Sequence, residues 1–370
     1  ISVNATTSLV LVSELKIENF RCYEFAEIPI NRGITLVYGK NGSGKSSIIE
    51  GLYFALSGKS FRTTDLNTLI RKHTDLTQTF ITFKDATGVK ITKKTNQKCK
   101  ILQIKDKKTL TYAKLVSNYP TCLVENKEFF FTTSTPDEKR AFLNKTLFYV
   151  EQNSNIVLKE LKKLIYQRAA CLKNNDLNQI AYWDQKLIEL EPSITQTNRK
   201  LITSVNEMLQ TSEIKEHFAE KNPWLADLSV DYAPGFDDKV NFSNILQQNM
   251  EKDRILKRTS AGPHKRSFNI YLSDVPAQDL LSRGQQKVVS IILHLIQREL
   301  IQNKTNTNPI LLMDDISSEL DKDNANLMLK YLLSKGIQTV MTSIEKKRFS
   351  GEKDVFMFHV EQKGDKSNVR

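Results

Sequence analysis

Apolar and polar residues alternate in VSELKIENF over residues 12–20, the period of a strand with one buried face. Residues 34–38, ITLVY, form a short apolar run rich in β-formers. A glycine-rich turn follows, and then a helical pattern from about 46 to 56. Between 79 and 112 alternation returns in TFITFK, VKITKKT and CKILQIK, with a turn at Asp85-Ala86-Thr87-Gly88. Asp and Gly between alternating runs mark hairpins, so this stretch predicts an antiparallel side sheet. From about 137 to 220 the period becomes helical. Leu158, Leu161, Ile165, Ala169 and Leu172 recur at spacings of three and four, and Leu187, Leu190, Ile194, Leu201 and Val205 do much the same. The heptads are too short-lived for a long coiled coil, so the pattern predicts helices folded back as a short arm. Residues 222–237, with Pro223, Pro234 and Gly235, read as the return connection. The last third predicts a helix over about 284–302, a loop at 303–308, a buried strand at 309–313, a helix over about 322–334 and a strand at 337–342.

The order predicts an α/β head interrupted by an insertion. Its N-terminal half is expected at 11–136, the helical arm at 137–250 and the C-terminal half at 251–370. The chain has 370 residues with 39% hydrophobic content, enough for two cores or for one core with a sizeable insertion. No apolar run is long enough for a membrane span, and the opening residues lack the basic flank of a signal peptide. Cys22, Cys99, Cys122 and Cys171 are scattered without a CxxC pair. They predict reduced thiols in a cytoplasmic protein, with neither a zinc site nor a disulfide framework. The net charge of +12 suits a polyanionic partner such as nucleic acid, and equally a basic solvated surface.

Gly39-Lys40-Asn41-Gly42-Ser43-Gly44-Lys45-Ser46 fits the phosphate-loop pattern G-x-x-x-x-G-K-[ST] without a mismatch, between an expected strand and an expected helix. Glycines let such a loop curl so that backbone N–H groups face phosphate oxygens, and the helix adds the positive end of its dipole. The reading makes Gly39, Asn41, Gly42, Ser43, Gly44, Lys45, Ser46 and Ser47 nucleotide-binding residues for ATP, with Ser46 on Mg²⁺. A glycine-rich turn with no ligand is the plainer alternative. Further on, the apolar run Ile310-Leu311-Leu312-Met313 ends in Asp314 and Asp315. Carboxylates at the end of a buried strand call for a cation or water. Asp314 is the expected second Mg²⁺ ligand, and Asp315 the group that orients and deprotonates the attacking water.

Leu281-Ser282-Arg283-Gly284-Gln285-Gln286 precedes the helix at 284, where Ser282 is a good N-cap. The segment also resembles the L-S-G-G-Q signature of ABC ATPases, with Arg283 in place of the first Gly. In that family the signature crosses a dimer interface to the other subunit's γ-phosphate. The resemblance therefore assigns Ser282, Gly284 and Gln285 to a nucleotide held by a second copy, with Lys45, Ser282 and Asp315 as the catalytic set. Ser318-Glu319-Leu320-Asp321 follows where ABC proteins carry their interface loop. The gap from Lys45 to Ser282 is much longer than in transporter ATPases. It is similar to the chromosome-maintenance group, whose heads are split by a helical insertion.

Several segments together resemble the RecF family of recombination-repair ATPases. They are Leu15 through Tyr23, the phosphate loop with Glu50, Ser57-Gly58-Lys59-Ser60-Phe61-Arg62, Arg140-Ala141-Phe142-Leu143, Gln167-Arg168, Trp183-Asp184 and Ala261-Gly262-Pro263-His264, besides the signature and Asp314 through Asp321. The resemblance implies an ABC-type P-loop ATPase head with an antiparallel side sheet and a short helical arm. It implies an ATP-dependent homodimer with slow, DNA-stimulated hydrolysis that recognises gapped DNA or single-strand/double-strand junctions. The implied partners are RecO and RecR, in loading the RecA recombinase. Three positions depart from the family pattern. Leu123-Val124-Glu125-Asn126-Lys127 stands where F-S-P-E-D is usual, Lys139 stands for the first of two arginines, and Asn144 for an Asp.

Some single residues carry expectations. Arg21, after the first strand, is expected near the nucleotide phosphates in this group. Thr342 takes the place of the ABC switch histidine, where its hydroxyl would sense the γ-phosphate. His264 reads as an interface or packing residue. Lys93, Lys94 and Lys98 of the side sheet and Lys162 and Lys163 of the arm are candidates for DNA phosphates. Other classes remain open by motif order alone. A transporter-type motor is disfavoured by the long gap and by Gly262-Pro263-His264. A nuclease has no evident metal cluster, and a non-hydrolysing scaffold would not need Asp315.

Overall fold

Three hydrogen-bonded sheets organise the chain in the computed structural model, which describes residues 11–125, 131–315, 320–344, 354–363 and 366–369. The N-terminal part runs β1 (Val12–Phe20), β2 (Tyr23–Pro29), β3 (Ile34–Tyr38), α1 (Lys45–Ser57), β4 (Leu76–Phe83), β5 (Gly88–Lys94), β6 (Lys100–Gln103), β7 (Lys108–Thr109), α2 (Tyr112–Asn118) and β8 (Thr121–Val124). The middle holds α3 (Pro136–Val150), α4 (Ser154–Asn174), α5 (Leu177–Thr211), α6 (Glu213–Ala219), β9 (Leu228–Ala233), α7 (Phe242–Gln248), α8 (Met250–Leu256), β10 (Ser267–Leu272), β11 (Val275–Pro276) and α9 (Ala277–Leu280). The remainder is α10 (Arg283–Thr305), β12 (Ile310–Met313), α11 (Lys322–Ser334), β13 (Thr339–Ser343), β14 (Val355–Lys363) and β15 (Lys366–Val369).

Two compact units result. One comprises residues 1–129 and 287–370, the other 130–286. Residues 251–286, expected with the C-terminal half of the head, thus pack within the middle unit. The reason is β10, which pairs antiparallel with β9 from Ser267↔Ala233 to Leu272↔Leu228. That partner strand lies inside the segment read as a mere connection. Its alternation, Leu228 and Val230 buried with Ser229 and Asp231 more open, is the overlooked signal.

In the first unit the sheet order β15-β14-β3-β13-β12-β8 places β3, β13 and β12 side by side and parallel. All of β12 and β13 is buried, as parallel strands covered on both faces require. The second sheet, β2-β1-β4-β5-β6-β7, is the expected antiparallel side sheet. Helix α1 packs against strands of both sheets, which explains why nearly all its residues are buried. Gly51 permits that fit, since a Cβ there would lie 3.1 Å from the Ile17 side chain.

In the middle unit α4 and α5 form an antiparallel pair over Leu161, Leu164, Leu187 and Ile194. Arg168 is buried between them. Its guanidinium donates to Asp184 at 2.5 Å, to Asp253 of α8 at 2.6 Å and to Thr259 at 3.1 Å. The two resemblance segments at 167–168 and 183–184 are therefore one cross-brace. Arg266 is also buried, and its side chain donates to the Pro263 carbonyl at 3.0 Å and to the Asn144 amide oxygen.

Among the described residues no helix is long and apolar enough to cross a membrane, and no group of three or more His, Cys, Asp or Glu is placed to hold a metal ion. The four cysteines are free thiols. One expected phosphate contact is corrected. Lys93 is buried, and its ammonium donates to Asn67 Oδ1 at 2.7 Å and to the carbonyls of Lys94 at 2.7 Å and Gln97 at 2.8 Å. It points inward because β5 alternates and position 93 shares the buried face of Val89 and Ile91. Lys94, Lys98, Lys162 and Lys163 are exposed.

Candidate functional site

The loop joining β3 to α1 wraps around the ammonium of Lys45. That group donates to the carbonyls of Gly39 at 2.8 Å and Lys40 at 2.9 Å. Gly42 and Gly44 hold positive φ of 78° and 107°, the left-handed region that suits glycine. Gly39 is fixed by space, because a Cβ would lie 2.3 Å from the Val360 carbonyl oxygen. The Tyr23 hydroxyl, supplied by β2, donates to the Gly44 carbonyl at 3.2 Å.

The ends of β12 and β13 meet the start of α1. Asp314 accepts the Thr342 hydroxyl at 2.7 Å and a hydrogen bond from the Ser46 side chain. The Asp315 backbone N–H in turn donates to the Thr342 oxygen at 2.7 Å. Asp315 itself sits at a φ of 53°. Burial pushes the Asp314 carboxyl above its ordinary range. Its hydrogen bonds with Thr342 and Ser46 oppose that push, and the Asp315 charge adds to it. Burial lowers the pKa of Lys45, against the pull of Asp315 and Asp314. The Thr342 hydroxyl thus has its one proton on Asp314 and its oxygen on the Asp315 N–H.

These groups surround a cavity of about 230 Å³, lined by Asn41, Gly42, Lys45, Ser46, Asp315 and Thr342 among others. Gly44 and Ser47 line it too. Arg62 and Cys22 also face it, and neither carried a role in the sequence reading. Arg21 does not line it. Its guanidinium grips the buried Glu50 through two bonds of 2.8 and 2.6 Å, and donates to the Thr68 carbonyl at 2.9 Å. Glu50 is fully buried and also accepts Ser60 at 2.5 Å, with Arg62 3.5 Å away. Ser60 and Arg62, at the end of the segment Ser57 through Arg62, are thus anchored on this buried carboxylate.

Hard oxygen donors suit a small divalent cation, and the Ser46 hydroxyl with the Asp314 carboxylate supplies two, already in mutual contact. Phosphate needs donors and positive charge, which the left-handed loop, the N-terminus of α1 and Lys45 supply. The residues present therefore fit a magnesium nucleotide.

In the other unit, Ser282 opens α10. Its N–H donates to Gln285 Oε1 at 2.9 Å, and the Gln285 N–H returns to Ser282 Oγ at 3.3 Å, a reciprocal cap. Gln286 is tied down by Thr132 at 2.5 Å and by its own bond to the Leu281 carbonyl at 2.9 Å. Ser282 and Arg283 are exposed, and a Cβ on Gly284 would meet nothing within 4 Å. Ser318 and Glu319 of the expected interface loop, and Asn126 and Lys127 among the departures, lie outside the described residues.

The family model described as RecF/RecN/SMC N terminal domain matches residues 11–367. The DNA replication and repair protein RecF of Shewanella sp. (strain MR-4) is 30% identical over 357 residues, covering 94% of this chain and 97% of that one. The protein of the same name from Shewanella halifaxensis (strain HAW-EB4) is 30% identical over 360 residues, covering 95% and 96%. Among solved structures, one described as the recombination mediator protein RecF-ATPrS in the RecFOR pathway superposes with a TM-score of 0.81 at 20% identity, covering 98% of each chain. An Smc head bound to the C-winged helix domain of ScpA follows with a TM-score of 0.57 at 15% identity, covering 97% of each. The fold is that of ABC-type ATPase heads, and by family model and by relatives matched over nearly their whole length the chain belongs to the RecF family.

Proposed function

We propose that this chain is an ATP-dependent DNA-binding recombination-repair protein that closes into a dimer on ATP and is reset by slow hydrolysis. The observation that carries the reading is the meeting of Lys45, Ser46, Asp315 and Thr342 around one cavity, with Asp314 hydrogen-bonded to Ser46 and Thr342 of that wall. The relatives' name, DNA replication and repair protein RecF, supplies the biological setting. The RecFOR pathway of the structural relative supplies the partners, RecO and RecR. Gapped DNA or single-strand/double-strand junctions are the proposed substrate, with RecA loading as the outcome.

The chemistry assigns roles to residues. Lys45 must leave the loop carbonyls to meet the β- and γ-phosphates as a point charge. Ser46 and Asp314 hold Mg²⁺, which when bound neutralises charge developing on the transferred phosphoryl oxygens. Asp315 orients water and accepts its proton. Arg62 adds a cation at the cavity wall, and Arg21 grips Glu50. Ser282, Gly284 and Gln285 present themselves to the nucleotide of a second copy. The open space beside Gly284 supports that assignment, since this chain's own packing gives no reason for a glycine there.

The test is sedimentation with and without ATP, then with gapped DNA, on the wild type, Lys45→Ala and Asp315→Asn. Wild type should dimerise only with ATP, Lys45→Ala should stay monomeric, and Asp315→Asn should remain dimeric while turnover collapses. Nucleotide-independent sedimentation of the wild type would overturn the reading.

A further inference from the structure

Helix α4 exposes one face without a carboxylate. Lys159, Lys162, Lys163 and Lys173 are exposed along it, and Tyr166 stands among them at 72% exposure. At about 100° per residue, these five side chains fall within roughly 100° of helix circumference. From Lys159 to Lys173 they span about 21 Å of axis. Glu160 lies beside this arc and approaches only Lys163, at 4.0 Å. A face that merely solvates a helix mixes its signs, as α5 does where Lys186 is held by Glu189 at 2.8 Å.

We infer that the outward face of α4, Lys159, Lys162, Lys163 and Lys173 around Tyr166, is a contact surface for single-stranded nucleic acid. A row of ammonium groups about 21 Å long matches a polyanion with regularly repeating phosphates. An open tyrosine ring within that row has no use on the outside of a duplex, where bases are stacked inward. On a single strand it is a platform for an unpaired base. The inference rests on the DNA-binding reading above and gives the arm the single-stranded side of a gap. The scaffold is rigid enough for this, because the inner face of α4 is pinned by Leu161, Leu164 and the Arg168 cross-brace.

The experiment uses fluorescence anisotropy of the full chain with labelled oligo-dT of about twenty nucleotides, and with a duplex of equal length, across a salt series. The four lysines are replaced together by Gln, and separately Tyr166→Ala and Tyr166→Phe are made. All these side chains are exposed, and thermal unfolding monitored by circular dichroism checks that each variant folds. The quadruple variant should lose at least ten-fold in oligo-dT affinity, with a log–log salt slope shallower by about three. Tyr166→Ala should weaken oligo-dT about five-fold or more and leave the duplex unchanged, while Tyr166→Phe binds as wild type. An unchanged slope in the quadruple variant overturns the inference alone, as does equal loss on both probes with Tyr166→Ala silent. Absence of any nucleic-acid binding by the wild type overturns it together with the proposed function.

Discussion

Thr342 gives its hydroxyl proton to Asp314 at 2.7 Å, and the same oxygen receives the backbone N–H of Asp315. One small side chain on β13 thereby sets both acids at the end of β12. Replacing it with Val keeps the shape and removes both hydrogen bonds. Thr342→Val should lower ATP turnover about ten- to a hundred-fold while nucleotide affinity changes only a few-fold, because the carboxylates lose position rather than charge. Thr342→Ser should restore most of the rate. Steady-state phosphate release with a parallel nucleotide titration measures both, and a Ser variant as slow as Val would refute the positioning role.

Gly284 separates folding from assembly. A methyl group there meets nothing within 4 Å, and Ala is the better helix former. Gly284→Ala should therefore raise stability slightly, by up to about 1 kcal/mol, and yet weaken ATP-dependent dimerisation. Unfolding in urea and sedimentation with ATP should move in opposite directions. Dimerisation at wild-type level would mean that nothing approaches this glycine from outside.

Arg266 offers a test of the middle unit's charge balance. It is buried, it donates to a backbone carbonyl and to Asn144, and burial lowers its pKa. Asn144→Asp supplies an anion at the same place with almost no change in volume. It should stabilise the protein by about 1–3 kcal/mol at neutral pH. The new carboxyl would have a depressed pKa when folded, so the gain should be whole above about 4 and be lost as pH falls further, through that lower folded value. Thermal melts of both proteins at pH 7 and at about pH 2.5 decide this.

His264 predicts a pH dependence of its own. Its Nε2 bonds to the Thr259 carbonyl at 3.1 Å, while Nδ1 is buried without a partner. Burial, reinforced by the Lys265 and Arg140 charges, pushes its pKa down to about 4. The unfolded chain takes up this proton near pH 6.5, before the folded chain does. Stability is therefore whole above about 6.5 and declines towards 4, with about 2 kcal/mol lost to this group at pH 5. Relative to wild type, His264→Gln should show a flatter stability profile between pH 7 and 5 in urea titrations. Parallel profiles would show that His264 protonates equally in both states.

Local pattern carried much of the head. Residues 12–20, 34–38 and 322–334 matched their strands and helix because each alternation or apolar run is bounded by a clear turn or cap, such as Asp321 accepting from the Asn324 N–H. The phosphate loop was legible for the same reason, since its glycines and Lys45 act over eight positions. Features that depend on distant partners were not legible. Thr121–Val124 is too short to declare itself, and is a strand only because β12 pairs with it. Arg62 was not legible as a cavity residue, because its place depends on a buried Glu50 on α1 that pairs with both Arg21 and Arg62. Lys93 counted towards a basic surface that its three oxygen partners take it out of.

The left-handed backbone at Asp315, with φ of 53°, limits which side chains that position accepts. Asn rests there as comfortably as Asp, whereas branched or bulky residues strain. The substitution that removes the proton acceptor is thus also the one that the backbone tolerates best. A silenced protein of normal stability is within reach by a single change, and it would serve as a trap to hold the closed complex long enough to isolate whatever it has gripped.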